Sequence, residues 1–134
     1  MIVRRLQKVG TGTTAYYDIT GGHGLLNFAV DDEAIAQAIR CDLQLILGEW
    51  FLDTTKGIPW IRNPNADTKT ILGRLPADLP YAETTIKAAI LRVANGIRLD
   101  SFALDFNHQT RAASCSISGR LPSGQPFTIS EAVL

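Results

Sequence analysis

One segment restricts the possible folds of this 134-residue chain more than any other. It reads Gly48-Glu49-Trp50-Phe51-Leu52-Asp53-Thr54-Thr55-Lys56-Gly57-Ile58-Pro59-Trp60 and sits directly behind an amphipathic helix. A helix stops at a glycine, an apolar run is bracketed by two carboxylates, and a second glycine turns the chain into Ile-Pro-Trp. Neither a 3.6-residue nor a two-residue period accounts for this order, and it has the form of no hydrolase, metal or nucleotide motif. It reads as a fixed piece of architecture.

The helix before it is the clearest regular element. Asp31 is a good N-cap, and Asp32 and Glu33 put negative charge in the first turn, where the helix dipole favours it. Ile35, Ile39, Leu43, Ile46 and Leu47 recur at helical spacing, opposite Glu33, Gln37, Arg40 and Gln44, and Gly48 is placed to end the helix. A second helix is predicted over residues 83–94, with Ile86, Ala89, Ile90 and Val93 on one face and Asn95-Gly96 as its stop. A short turn of helix is expected within residues 68–75. Before the first helix, residues 2–6 and 15–19 read as two short strands around Gly10-Thr11-Gly12, followed by a glycine-rich loop at Gly21-Gly22-His23-Gly24.

The remainder reads as an antiparallel meander. Phe102, Leu104 and Phe106 alternate along residues 97–106, and Ala113, Cys115 and Ile117 along residues 111–120. Pro122-Ser123-Gly124-Gln125 turns into a third strand at 127–132. The fold class is therefore α+β, two main helices packed on a small antiparallel sheet that includes a C-terminal three-stranded meander. The chain divides as one domain: N-terminal strands and loop (1–30), helices and motif loop (31–96), and meander (97–134).

Thirteen basic and thirteen acidic residues cancel, so no net basic field exists to draw in nucleic acid or an acidic membrane surface. Arg4, Arg5 and Lys8 form a small local patch that reads as a solvated strand edge. No apolar run has the length of a signal peptide core or a membrane span, so synthesis and assembly in a cytoplasm are expected. Cys41 and Cys115 are too few and too far apart for a disulfide framework or a zinc pattern, and each reads as a small buried residue. His23 and His108 fall in loop segments without partners at ligand spacing, and Ser114, Ser116 and Ser118 alternate as the solvent face of a strand. No catalytic, cofactor or metal site is expected.

Glu49 and Asp53 invite an enzymatic reading, because two carboxylates in a lysozyme-sized chain suggest a small muralytic glycosidase. Such a pair must flank a substrate cleft, and carboxylates four residues apart on one extended segment are better placed to pin a loop. Glu49 could accept backbone N–H bonds or meet a partner's arginine. Trp50 and Trp60 would close the loop over the first helix. The core is the favoured place for Trp50, whereas for Trp60 core and interface stay open.

Taken together, these pieces resemble the small baseplate wedge proteins of contractile phage tails, the Mu-like members of the sheath-initiator family. The resemblance rests on Glu33-Ala34-Ile35-Ala36-Gln37-Ala38-Ile39-Arg40, Gly48-Glu49-Trp50-Phe51-Leu52-Asp53, Gly57-Ile58-Pro59-Trp60 and Ile71-Leu72-Gly73, then residues 86–93 and 97–106. It covers about residues 30–132. Two departures stand out. More distant members carry an arginine after the glutamate where this chain has Trp50, so a docking contact through that arginine does not transfer. Residues 63–69 also form a longer spacer before Ile-Leu-Gly.

The resemblance implies a structural subunit of the virion, placed in the tail baseplate after assembly in the host cytoplasm. It would link wedge proteins around the hub, contact the tail sheath protein and neighbouring hub or tube proteins, and start the sheath by strand sharing. The contact residues expected are Glu49, Trp50, Asp53 and Trp60 in the loop, with Phe127 and Ile129 in the last strand. That strand has nothing predicted behind it and is a template for another chain, unless the N-terminal strand caps it. The alternative is a small muralytic glycosidase or glycan-binding module of a phage tail.

Overall fold

The computed structural model describes residues 2–11, 16–19, 21, 24–63, 70–72, 77–107, 109–110 and 112–132. His23, His108 and Gly73 lie outside these, as does most of the helical turn expected at 68–75. In chain order the elements are β1 (Ile2–Arg4), β2 (Leu6–Val9), β3 (Tyr16–Ile19), a 3-10 turn (Leu25–Asn27), β4 (Phe28–Val30), α1 (Asp31–Gln44), α2 (Leu79–Leu91), β5 (Arg98–Asn107), β6 (Ala112–Arg120) and β7 (Pro126–Ala132). The architecture is α+β. The strands form an antiparallel β1–β4 pair, an antiparallel β2–β3 hairpin and the meander β5–β6–β7.

The meander follows from the alternation in its sequence. Ala113, Cys115 and Ile117 of β6, with Phe127 and Ile129 of β7, are buried on one face, while Ser114, Ser116, Thr128 and Ser130 face solvent. Phe102 and Leu104 of β5 extend the apolar face. Against it pack Ile39 and Leu43 of α1, Ala82, Ile86, Ala89 and Ile90 of α2, and Ile58, Trp60 and Ile71 from the irregular segment between the helices. The β6–β7 turn is a three-residue loop: Gly124 N–H donates to the Leu121 carbonyl (2.8 Å) and Leu121 N–H to the Gln125 carbonyl (2.9 Å). Gly124 takes the left-handed φ of 90° that such a turn requires. At the β5–β6 turn, the Asn107 side chain accepts from the N–H groups of Gln109 and Thr110.

Both helices differ from their predicted limits. α1 begins with Val30 as its cap, without a side-chain cap bond, and Asp31 lies inside it with φ of 47°. Its N-terminus is tied down elsewhere, by the Ser123 hydroxyl donating to the Asp32 carboxylate at 2.5 Å. The helix ends at Gln44 rather than at Gly48, because Leu45 turns extended and Ile46 leaves to bridge Ile58. Ile46 and Leu47 thus satisfy the helical spacing without being helical. α2 starts a turn earlier than predicted, because Asp78 caps it by accepting from Tyr81 N–H and Pro80 fits its first turn. Among the described residues no helix is long and apolar enough to cross a membrane.

The N-terminal third also differs: among the described residues four short strands replace the predicted two, and the first breaks at Arg5. Gln37 of α1 explains the break. Its amide donates to the Arg4 carbonyl (2.6 Å) and accepts from Leu6 N–H (2.9 Å), so both backbone groups beside Arg5 turn to the helix. Arg5 N–H donates to the Asn27 carbonyl, and its guanidinium meets Glu33 at 2.8 Å. Arg4, over the Phe28 ring, and Arg5 thus act as ties to β4 and α1 and not as a simple solvated edge, while Lys8 is exposed as expected. Gln37→Ala is expected to cost about 1–2 kcal/mol, since two part-buried backbone groups lose their partner. Gln37→Glu should recover part of this, keeping the acceptor for Leu6. Urea unfolding, with amide exchange at Leu6, measures both; an unchanged midpoint in Gln37→Ala would show the tie to be idle.

Candidate functional site

Residues 45–61 split into a buried frame and an exposed excursion. The frame begins where α1 ends. Ile58 N–H donates to the Leu45 carbonyl and Leu47 N–H to the Ile58 carbonyl, each at 2.9 Å. On the other side, Ile71 N–H donates to the Pro59 carbonyl (2.8 Å) and Leu72 N–H to the Trp60 carbonyl (2.9 Å). Gly57-Ile58-Pro59-Trp60 is thereby held between two neighbouring segments, and all four residues are buried. Gly57 has φ of 94°, and a Cβ there would lie 2.6 Å from the Leu45 carbonyl oxygen. No residue other than glycine fits that approach.

Trp60 completes the frame. It is fully buried, and its indole Nε1–H donates to the Leu43 carbonyl at 2.9 Å. That carbonyl is in the last turn of α1, where carbonyls lack helical partners, so the indole serves as a side-chain cap. Sequence reasoning left Trp60 open between core and interface; the fold puts it in the core, with no surface to offer a partner.

The excursion, residues 48–56, projects from this frame. Gly48 turns it with φ of 80°, and Glu49 N–H donates to the Ile46 carbonyl at 3.0 Å. Asp53 organises the far side. Its Oδ1 accepts from the Thr55 hydroxyl (2.6 Å) and Thr55 N–H (3.0 Å), and its N–H donates to the Trp50 carbonyl. The Thr55 hydroxyl and N–H together hold the Asp53 carboxyl below the usual carboxylate range, so it stays ionised.

Between the carboxylates the apolar run faces out. Trp50 is 42% exposed, Leu52 69% and Phe51 84%. The core position expected for Trp50 is not what the fold gives it, because Trp60 and Ile58 already fill the space at the end of α1. Phe51 and Leu52 did not figure among the expected contact residues. Their signal was an apolar run in a segment of otherwise loop-forming composition.

Two shallow grooves of about 290 Å³ each flank the excursion. One is lined by Cys41, Asp42, Leu45, Trp50 and Lys56. The other lies toward α2 and includes Leu47, Thr55, Pro59, Tyr81 and Arg92. Burial raises the Asp42 carboxyl above its ordinary range, with Lys56 and Arg92 pulling the other way. Cys41 is exposed and not buried as expected, whereas Cys115 is fully buried and its thiol is pushed up to about 12 by burial.

The second candidate surface is the edge of β7. The strand order is β5–β6–β7, and among the described residues nothing pairs with the outer side of β7. The N-terminal strand that might have capped it pairs with β4 instead. The side chains of Phe127 and Ile129, expected as contacts, are buried in the core at 8% and 1% exposure. Their backbone groups are spent as well. Leu121 N–H donates to Gln125, and the register continues without a shift through Gly119↔Phe127 and Ile117↔Ile129. The narrow pairs of an antiparallel ladder recur every second residue. Residues 127 and 129 therefore point their N–H and carbonyl groups at β6, and Thr128 and Ser130 point theirs outward. Pro126, which has no N–H, falls on the outward set, the position an edge strand tolerates.

Known proteins resemble this chain in sequence and in fold. The family model described as "Contractile injection system sheath initiator" matches residues 13–124. The fold is similar to a crystal structure of a Geobacter sulfurreducens protein provisionally named a tail lysozyme. The TM-score is 0.58 and the identity 20%, over 78% of this chain and 90% of that one. At that identity the likeness is one of fold. No curated protein matches the chain. With the family model spanning most of its length, the chain belongs to the contractile injection system sheath initiators, components of a tail structure that work with sheath and baseplate parts.

Proposed function

We propose that this chain is a non-enzymatic baseplate wedge subunit of a contractile phage tail, and that it starts the sheath by lending the outer edge of β7 to a strand of the first sheath subunit. The observation that carries this is the outward row of backbone groups at Thr128 and Ser130 on a strand whose pairing with β6 has no register shift. β5, the other edge of the meander, has a register shift between Leu99 and Ser101, which disturbs pairing there. Strand addition supplies affinity through main-chain bonds and asks little of side chains, which suits an edge whose outward backbone positions carry the small polar residues Thr128 and Ser130.

A glycosidase reading has less to stand on. Two hydrogen bonds from Thr55 occupy one Asp53 oxygen and keep the group ionised, so Asp53 is unsuited to be the general acid of a carboxyl pair. The grooves beside the loop are lined by Trp50 and Lys56 or by Thr55 and Arg92, not by Glu49 facing Asp53. Peptidoglycan turnover that vanished in Glu49→Gln would overturn the non-enzymatic reading.

The test is a proline scan of β7. Thr128→Pro with Ser130→Pro removes two outward N–H groups and leaves the β6–β7 ladder whole. The isolated chain is expected to stay folded while particles carry bare tubes under the electron microscope. Ile129→Pro, by contrast, removes a ladder bond and is expected to cost about 3 kcal/mol of stability. Normally sheathed particles from the double variant would sink strand sharing through this edge.

A further inference from the structure

The apolar run at the tip of residues 48–56 is left unused by strand sharing. Trp50, Phe51 and Leu52 together expose roughly 300–400 Å² of apolar surface, judged from their exposures and the area such side chains present. That is about the size of the largest patch on an ordinary monomer, concentrated in three consecutive residues. The tip is also pre-ordered. Asp53 N–H to Trp50, Lys56 N–H to Asp53, and the two Thr55 bonds to the Asp53 carboxylate fix its shape from within. Its roots are the buried Ile58 and Trp60. A rigid exposed tip loses little entropy on binding, which is the property of an anchor residue cluster.

We propose that Trp50, Phe51 and Leu52 form a knob that seats in an apolar pocket with a basic rim on a baseplate subunit other than the sheath protein. The proposal rests on the baseplate reading above. The flanking charges argue against a second copy of this chain, since a two-fold contact through the tip would set Glu49 and Asp53 against their own copies. The tip alone also falls short of the roughly 800 Å² that each partner of a stable complex typically covers. The knob suits the centre of a larger heterologous contact. Charge sets the rim. Glu49 and Asp53 stand at the two ends of the apolar run, and the Glu49 side chain makes no hydrogen bond or ion pair among the described residues. A pocket edged with arginine or lysine complements that pair.

The knob leaves the end of α1 remote from the β6–β7 turn, where β7 begins. The N-terminus of α1 is tied to the β6–β7 turn through Asp32 and Ser123, whereas the excursion leaves from the opposite end. Fourteen residues of helix put about 21 Å between them. A partner on the knob and a strand entering beside the start of β7 can be bound together.

Photo-crosslinking in assembled particles tests this, with p-benzoylphenylalanine placed at position 51 in one sample and at position 128 in another. From position 51 the expected adduct is a baseplate protein other than the sheath, through a peptide that combines apolar with basic residues. An adduct with the sheath, with a second copy of this chain, or with nothing overturns the knob. Position 128 reports on strand sharing independently, so either idea can fail alone. A Phe51→Ser, Leu52→Ser variant adds a second readout. Its melting temperature as an isolated chain should be nearly unchanged, because both side chains are exposed, while its incorporation into particles falls at least about tenfold. Undiminished incorporation overturns the proposal.

Discussion

Trp60→Ala is expected to destabilise the chain by about 4–5 kcal/mol, the upper range for truncating a large buried aromatic. The side chain is fully buried and touches the core shared by α1, α2 and the meander, so the hole it leaves is bordered on several sides. Its loss also strips the Leu43 carbonyl of a hydrogen bond at the end of α1. Such a loss is a large part of the total stability of an ordinary domain, and the variant should be largely unfolded at 37 °C. Trp60→Phe separates the two contributions. It retains most of the apolar contact and loses the indole N–H, for an expected cost of about 1–2 kcal/mol. Chemical denaturation of both variants measures this. Equal losses would mean that the hydrogen bond, not the volume, dominates; a small loss in Trp60→Ala would mean that the frame does not depend on the indole.

Gly57→Ala is expected to lose about 3 kcal/mol or more, through two additive causes. A non-glycine residue at a φ of 94° costs about 1–3 kcal/mol. The new Cβ would also lie 2.6 Å from the Leu45 oxygen, a backbone atom that is itself held by Ile58 N–H. Relief requires the Leu45–Leu47 segment to move off Ile58, which lifts the excursion from its frame. A melting temperature lower by about 10 °C or more is the expected result. The Trp50 fluorescence should change with it, since the tip would lose its fixed base. A shift of only a degree or two would show that this pairing is soft.

Much of the molecule was legible in the sequence because it obeys a period. The alternation in residues 111–120 foretold which side chains of β6 are buried, and Ile86, Ala89 and Ile90 foretold the inner face of α2, whereas Phe127 and Ile129 of β7, expected as contacts, went to the core. The limits of α1 were misplaced for a physical reason. Ile46 and Leu47 fit the helical stripe, but Gly57 lets Ile58 come close enough to capture the backbone of residues 45–47 in extended form. A partner thirteen residues away outweighed the local pattern. The N-terminal break had a similar cause in Gln37, whose amide reads as a solvent-facing helix position and instead binds both sides of Arg5.

The candidate contacts divide along the same line. That the segment around Gly48 and Gly57 is architecture, and that the fold is α+β with a C-terminal three-stranded meander, follow from residue order alone, because glycine placement and apolar alternation are local properties of the chain. Which tryptophan is core and which is surface did not follow. Both are large and amphipathic, and only the packing at the end of α1 assigns the buried slot to Trp60 and turns Trp50 outward with Phe51 and Leu52. Nor could the sequence say which residues of β7 face outward. The direction of an N–H depends on strand register, and register was decided by the β6–β7 turn, where the Leu121–Gln125 bond commits residues 127 and 129 to the ladder and leaves Thr128 and Ser130 at the edge.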